Sequence, residues 1–227
     1  MAQLHLLFPV VVYEDTYENS SSMKDVFSKI IFQYLNERGM SDENTGHVTM
    51  HHDNLLKPLF GFATAAAKKF VAQYMIDSDL FDYHVVKSWM NMIEHRETPQ
   101  HNHADAHISF VYYVNLPKTN DMPITFCNYP NRYEPFPFMS KVNTPTEWNA
   151  INSYAWSFAP QEGTIFVFPS TLSHYVEKHD EKPETGIHNS EDFMRHRISI
   201  AGDILLTYKD KSAKSLGLQP IKNWRTF

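Results

Sequence analysis

The chain has 227 residues, 42% hydrophobic and 20% charged, which is enough for one well-buried core and short for two. That balance matches neither a disordered tail nor a fibrous repeat. With 20 Lys and Arg against 26 Asp and Glu, the net charge is −6 and the basic residues are scattered, so no nucleic-acid partner is expected.

The one cysteine, Cys127, cannot form an internal disulfide, and no cysteine pair exists for structural zinc or an iron–sulfur cluster. A reducing, cytoplasmic setting is the expectation. The opening MAQLHLLFPVVV has no cationic start and is too short to span a bilayer, so it reads as a buried strand rather than a signal peptide, and no membrane partner is expected.

In chain order, Met23 to Arg38 places Val26, Phe27, Ile30, Ile31, Tyr34 and Leu35 at helical spacing, after a serine run and before Gly39. An alanine-rich stretch from about Pro58 to Ile76 predicts a second helix, with Pro58 suited to the first turn. From Tyr83 onward the apolar runs are short, β-branched or aromatic, and bounded by Pro, Asn, Asp or Gly. They predict strands near 84–94, 107–115, 122–128, 164–169, 173–178 and 196–208. Helices followed by strands indicate an α+β chain, mainly β, with helices over about 20–80 supporting an antiparallel sandwich or jelly roll over about 83–208 in a single domain. Two long connections interrupt the strands. The first, 129–160, is rich in aromatics and prolines and suits an ordered wall or lid; the second, about 178–195, is charged and reads as an exposed loop.

Chemistry concentrates in the 13 histidines, and most densely in QHNHADAH, where His101, His103, Asp105 and His107 precede the strand ISFVYYV. Side chains two apart on an extended segment point the same way, so His103 with Asp105, or His101 with His103, can face one metal ion. A third ligand is available in FPSTLSH at His174. Two histidines and a carboxylate form the facial triad of non-haem Fe(II) oxygenases, which leaves positions open for cosubstrate and oxygen. Ser170 or Ser173 beside His174 lacks the strained G-x-S-x-G turn of a nucleophile. Farther on, RHRISIAGD starts a strand with Arg197 and Ser199 on one face, and an arginine fork beside a hydroxyl can hold a carboxylate such as the far end of 2-oxoglutarate.

The order of SWMNM, HNHADAHISFVYYV, GTIFVFPSTLSH and RISI, from about Ser88 to Ile204, resembles the 2-oxoglutarate and Fe(II)-dependent oxygenases related to prolyl hydroxylases. The resemblance implies a double-stranded β-helix and an oxidation in which 2-oxoglutarate is decarboxylated to succinate while a protein side chain or a small molecule is hydroxylated. It implies Fe(II) and O2 alongside 2-oxoglutarate, His174 as the distal metal ligand, and His103 in the proximal motif. Asp105 or His101 completes the set, with Asp105 preferred. Arg197, Tyr113 and Ser199 fall at the cosubstrate carboxylate, with Arg195 a rival to Arg197, and no catalytic residue is expected beyond the metal ligands. Asn91 faces the pocket or completes a strand edge. Three departures stand out: Phe110 occupies a place where relatives commonly have glycine, the interval from His174 to Arg197 is long, and the terminal asparagine of a typical family strand is absent from AGDILLTY, with Asp203 nearby instead. A cupin-like metal-binding module without turnover is the alternative, and it would have no use for a carboxylate clamp. A third possibility is a lectin-like jelly roll that would hold no iron.

Overall fold

The computed structural model describes residues 9–21, 24–26, 29–30, 49–93, 97–116, 122–127, 153–177, 196–209 and 217–226. Two antiparallel sheets face one another, and a helical layer covers the outer side of the larger one. The described residues between 20 and 30 are helical, and most of the sequence helix to Arg38 lies outside the described residues. The long helix is Lys57–Gln73, with a proline in its first turn and a stripe of Leu59, Phe60, Ala63, Ala66, Ala67, Phe70 and Val71 buried. Those positions recur every three or four residues, as one helix face requires. The alanines let the helix lie close to the sheet, while each large side chain removed from water contributes roughly 1.5–3 kcal/mol. No helix among the described residues is long and apolar enough to cross a membrane.

Nine strands follow in chain order: β1 Tyr13–Thr16, β2 Phe81–Ile93, β3 Thr98–His101, β4 Ile108–Asn115, β5 Ile124–Cys127, β6 Ala155–Phe158, β7 Thr164–Pro169, β8 Ser173–Val176 and β9 Arg197–Tyr208. The larger sheet runs β1-β7-β4-β9-β2 and the smaller β3-β8-β5-β6, the double-sheet arrangement of a jelly roll. Three differences from the sequence expectation are informative. The opening strand is Tyr13–Thr16, downstream of the apolar run whose first eight residues lie outside the described residues. Strand β3 forms in a polar segment with a proline that lacks alternation. Strand β6 lies inside the stretch read as a connection, so the 129–160 segment is partly sheet; its residues 129–152, like the charged loop 178–195, lie outside the described residues.

The larger sheet has an apolar core on each face, and alternation assigns the residues between them. On β4 and β9, Ile108, Phe110, Tyr112, Val114, Ile198, Ile200 and Ile204 pack toward the helix Lys57–Gln73. The intervening Val111 and Tyr113, with Phe166, Phe168 and Leu172, pack toward the smaller sheet and its Ile124 and Phe126. By the same alternation Arg197, Ser199, Ala201 and Asp203 share the inter-sheet face of β9. Gly163, at φ +85°, turns the chain into β7, and its N–H bonds the Tyr113 carbonyl at 2.8 Å, which locks β7 beside β4.

Candidate metal centre

His101 and His174 are cross-strand partners on β3 and β8, so their side chains leave the smaller sheet on the same side. His103 follows β3 by two residues, and its N–H bonds the Ser170 carbonyl at 2.8 Å, which ties this segment to the turn before β8. One ring nitrogen from each of the three histidines lies within 4.8 Å of the others. Two bonds of about 2 Å to a common ion span up to ~4 Å, and small ring rotations close that gap.

Each imidazole is oriented by its Nδ1. In His174 it donates to the Leu172 carbonyl at 3.0 Å, in His101 to the Pro99 carbonyl at 2.7 Å, and in His103 to Asp203 Oδ1 at 2.7 Å. Carbonyls only accept, so the proton sits on Nδ1 and the Nε2 lone pair is left for a cation. Burial pushes His174 down to about 4, and burial also lowers His101, against the opposing Pro99 hydrogen bond. Both are therefore neutral near pH 7, the form a metal binds. Trp89 packs on His103 with centroids 5.3 Å apart, and Phe168 lies 4.9 Å from His174. These rings shield the cluster from water.

Asp105 lies elsewhere. The extended segment ends at His103, the chain turns at Ala104–Asp105, and the Asp105 carboxylate pairs with Lys87 at the surface. That lysine is the first cause of its lowered pKa. The structure thus brings His101, His103 and His174 together and leaves Asp105 outside. His107 is also apart, its Nδ1 accepting the Leu206 N–H at 3.0 Å. Asp203 takes the inward place. It is 1% exposed and accepts from Ser109 Oγ and His103 Nδ1, each at 2.7 Å. In the sequence, Asp203 stands out only as a departure from a pattern. Its contact with His103, 100 residues away in the chain, had no local signal.

Arg197 is buried to 1% exposure at the start of β9. Its Nη2 donates to the Tyr113 hydroxyl at 3.3 Å, its guanidinium carbon stands 5.0 Å from the Tyr113 ring centroid, and its Nε has no partner. Among the described residues no carboxylate pairs with it. Ser199 is the register partner of both Tyr113 and Asn91, so Asn91 shares the inter-sheet face. Arg195 lies outside the described residues. Phe110 packs in the helix-side core rather than on the inter-sheet face.

Residues 87–201 match the family model described as "Putative 2OG-Fe(II) oxygenase". Among solved structures, the fold is similar to SnoK, a non-heme alpha ketoglutarate dependent carbocyclase from nogalamycin biosynthesis, with TM-score 0.56 and 10% identity over 88% of this chain and 82% of that one. A Pseudomonas putida prolyl-4-hydroxylase is similar with TM-score 0.50 and 10% identity over 86% and 92%. An oxidoreductase of the 2OG-Fe(II) oxygenase family from Burkholderia pseudomallei matches with TM-score 0.41 and 14% identity, over 68% of this chain, which spans 59% of its length. No curated protein matches the sequence.

Proposed function

The chain belongs to the 2-oxoglutarate and Fe(II)-dependent oxygenases, and from that premise we propose that it is a dioxygenase that hydroxylates a protein side chain or a small molecule. The cofactors of the family are Fe(II) and 2-oxoglutarate, with O2 as oxidant. His101, His103 and His174 are the proposed ligands. Three imidazoles, each held by a hydrogen bond at Nδ1, would suit Fe(II) as nitrogen donors.

The observation that carries the proposal is Arg197. A buried guanidinium without an anionic partner is expensive, and here the Nε is also without a partner. A dicarboxylate whose far end reaches this fork supplies both the charge and the missing acceptor. The Tyr113 hydroxyl accepts from Arg197, which leaves its own proton free to donate to the same carboxylate. Ser199 lies beside Tyr113 on that face. A metal module without turnover has no use for such a clamp.

His101, His103 and His174 would hold the iron, which would supply the redox chemistry coupling decarboxylation of 2-oxoglutarate to succinate with hydroxylation of the substrate. The chain's own residues hold and orient. Arg197, Tyr113 and Ser199 would fix the far carboxylate and so direct the 2-oxo end toward the three histidines, a positioning effect worth several orders of magnitude in rate. Phe126, Phe168 and Trp89 exclude water. Along the smaller sheet, His101, His174, Phe126 and Trp156 form one cross-strand row. Trp156 is 44% exposed and sits two strands, roughly 10 Å, from His174. It is the proposed outer contact for the substrate.

The test is anaerobic titration of the apoprotein with Fe(II), then 2-oxoglutarate, followed by admission of O2. A metal-to-ligand charge-transfer band on adding 2-oxoglutarate, and succinate after O2, are expected. Stoichiometric iron with no band and no succinate would reject the oxygenase.

A further inference from the structure

Imidazole ligands bring no negative charge to a bound Fe(II), whereas the carboxylate of a facial triad would offset half of its double positive charge. Resting on the ligand set above, we propose that Asp203 supplies the missing negative charge from behind His103 and acts as the positioning residue of the centre, in place of a carboxylate ligand.

Asp203 lies on the inter-sheet face of β9, opposite Ser109 of β4. It is 1% exposed, and its side-chain partners among the described residues are the Ser109 hydroxyl and His103 Nδ1. Neither brings a fixed positive charge. Lys87, its register partner on β2, turns its ammonium to Asp105 at the surface instead. A carboxylate buried in this way is costly unless positive charge stands close by. A divalent ion on His103 Nε2 is that charge, one imidazole away. The same contact works in both directions. The carboxylate holds the proton on Nδ1, fixes the ring with Nε2 toward His101 and His174, and makes the ring a stronger donor to the metal. Trp89 against the other side of the ring limits its rotation. Ser109 holds the shared oxygen Oδ1 so that the carboxylate cannot swing away. This arrangement gives a physical reason for an acid at the position where the sequence departs from the family pattern.

The experiment titrates wild type, Asp203→Asn and Ser109→Ala with Co(II) and follows its visible absorption, with thermal unfolding of each apoprotein alongside. Asparagine can still accept from His103 but carries no charge. A fall of ~10–100-fold in Co(II) affinity is expected for Asp203→Asn, with an altered Co(II) spectrum and without a matching loss of apoprotein stability, and a smaller fall for Ser109→Ala. Equal affinity and an unchanged spectrum in Asp203→Asn beside a tightly binding wild type would overturn this inference alone. A wild type that takes up no Co(II) would overturn the ligand set and the inference with it. Should Asp203→Asn not fold, nitrogen-15 NMR of the Zn(II)-loaded wild type decides: a protonated His103 Nδ1 with a strongly downfield proton is expected, and an unprotonated or metal-bound Nδ1 would overturn the proposal.

Discussion

Phe110 lies over Gly202, its partner across β4 and β9. A β-carbon on Gly202 would come within 2.7 Å of the Phe110 ring and 2.8 Å of the Lys87 carbonyl. The large side chain on one strand is accommodated by the absence of one on the other, in the core shared with the helix Lys57–Gln73. The ring could yield, but the carbonyl belongs to the β2–β9 ladder and cannot yield without shifting a strand. Gly202→Ala is therefore expected to destabilise the protein by roughly 1–3 kcal/mol, measured by urea unfolding, and Phe110→Leu should recover only part of that loss. A neutral Gly202→Ala would contradict this packing.

The ligand set separates two neighbouring residues. His101→Ala should lose tight Fe(II) binding as His174→Ala does, because each supplies one of the three clustered nitrogens. Asp105→Ala should keep it, since that carboxylate faces Lys87 and solvent. Metal analysis after desalting checks both. Iron retained in His101→Ala and lost in Asp105→Ala would instead install the H-x-D pair.

Apoprotein stability should fall in acid. His174 takes a proton only near pH 4 when folded, against about 6.5 in the unfolded chain. A depressed folded value means that the unfolded state binds the proton first. The stability tied to neutral His174 is thus complete above about pH 6.5 and is lost as pH falls toward 4, by roughly 3 kcal/mol across that window. Urea midpoints of the apoprotein at pH 7, 5.5 and 4 measure it. His174→Asn should show a shallower decline, and an identical slope would exclude His174 as a source.

Much of this architecture was legible in the sequence because β4, β7 and β9 are buried on both faces and read as nearly continuous apolar runs bounded by turn residues. Strand β3 was not, since Thr98–His101 pairs with β8 at Thr98 and His101 across an irregular register and presents no alternating pattern. Strand β6 was obscured by its setting, four residues with a half-exposed pattern beside a proline-rich stretch. At the site, the two-residue rule drew out the segment that lies beside His174 but could not choose between its pairs. That rule holds only while the backbone is extended, and the turn at Ala104–Asp105 directs Asp105 away from His103. The inward carboxylate comes from β9, where only pairing with β4 brings Asp203 beside Ser109.

The proposed hold of Arg197 on the far carboxylate of 2-oxoglutarate is tested most directly by calorimetry of 2-oxoglutarate binding to the anaerobic Fe(II) form of wild type, Arg197→Ala and Arg197→Lys. Removing the partner of a buried charge costs on the order of 3–5 kcal/mol, and at ~1.4 kcal/mol per decade the alanine variant should bind roughly a hundredfold or more weakly. Lysine should recover only part, because a point charge does not reproduce the planar fork. Iron uptake without 2-oxoglutarate should be the same in all three, since the guanidinium is not a ligand. Equal 2-oxoglutarate affinity in wild type and Arg197→Ala, or none in the wild type, would contradict the account.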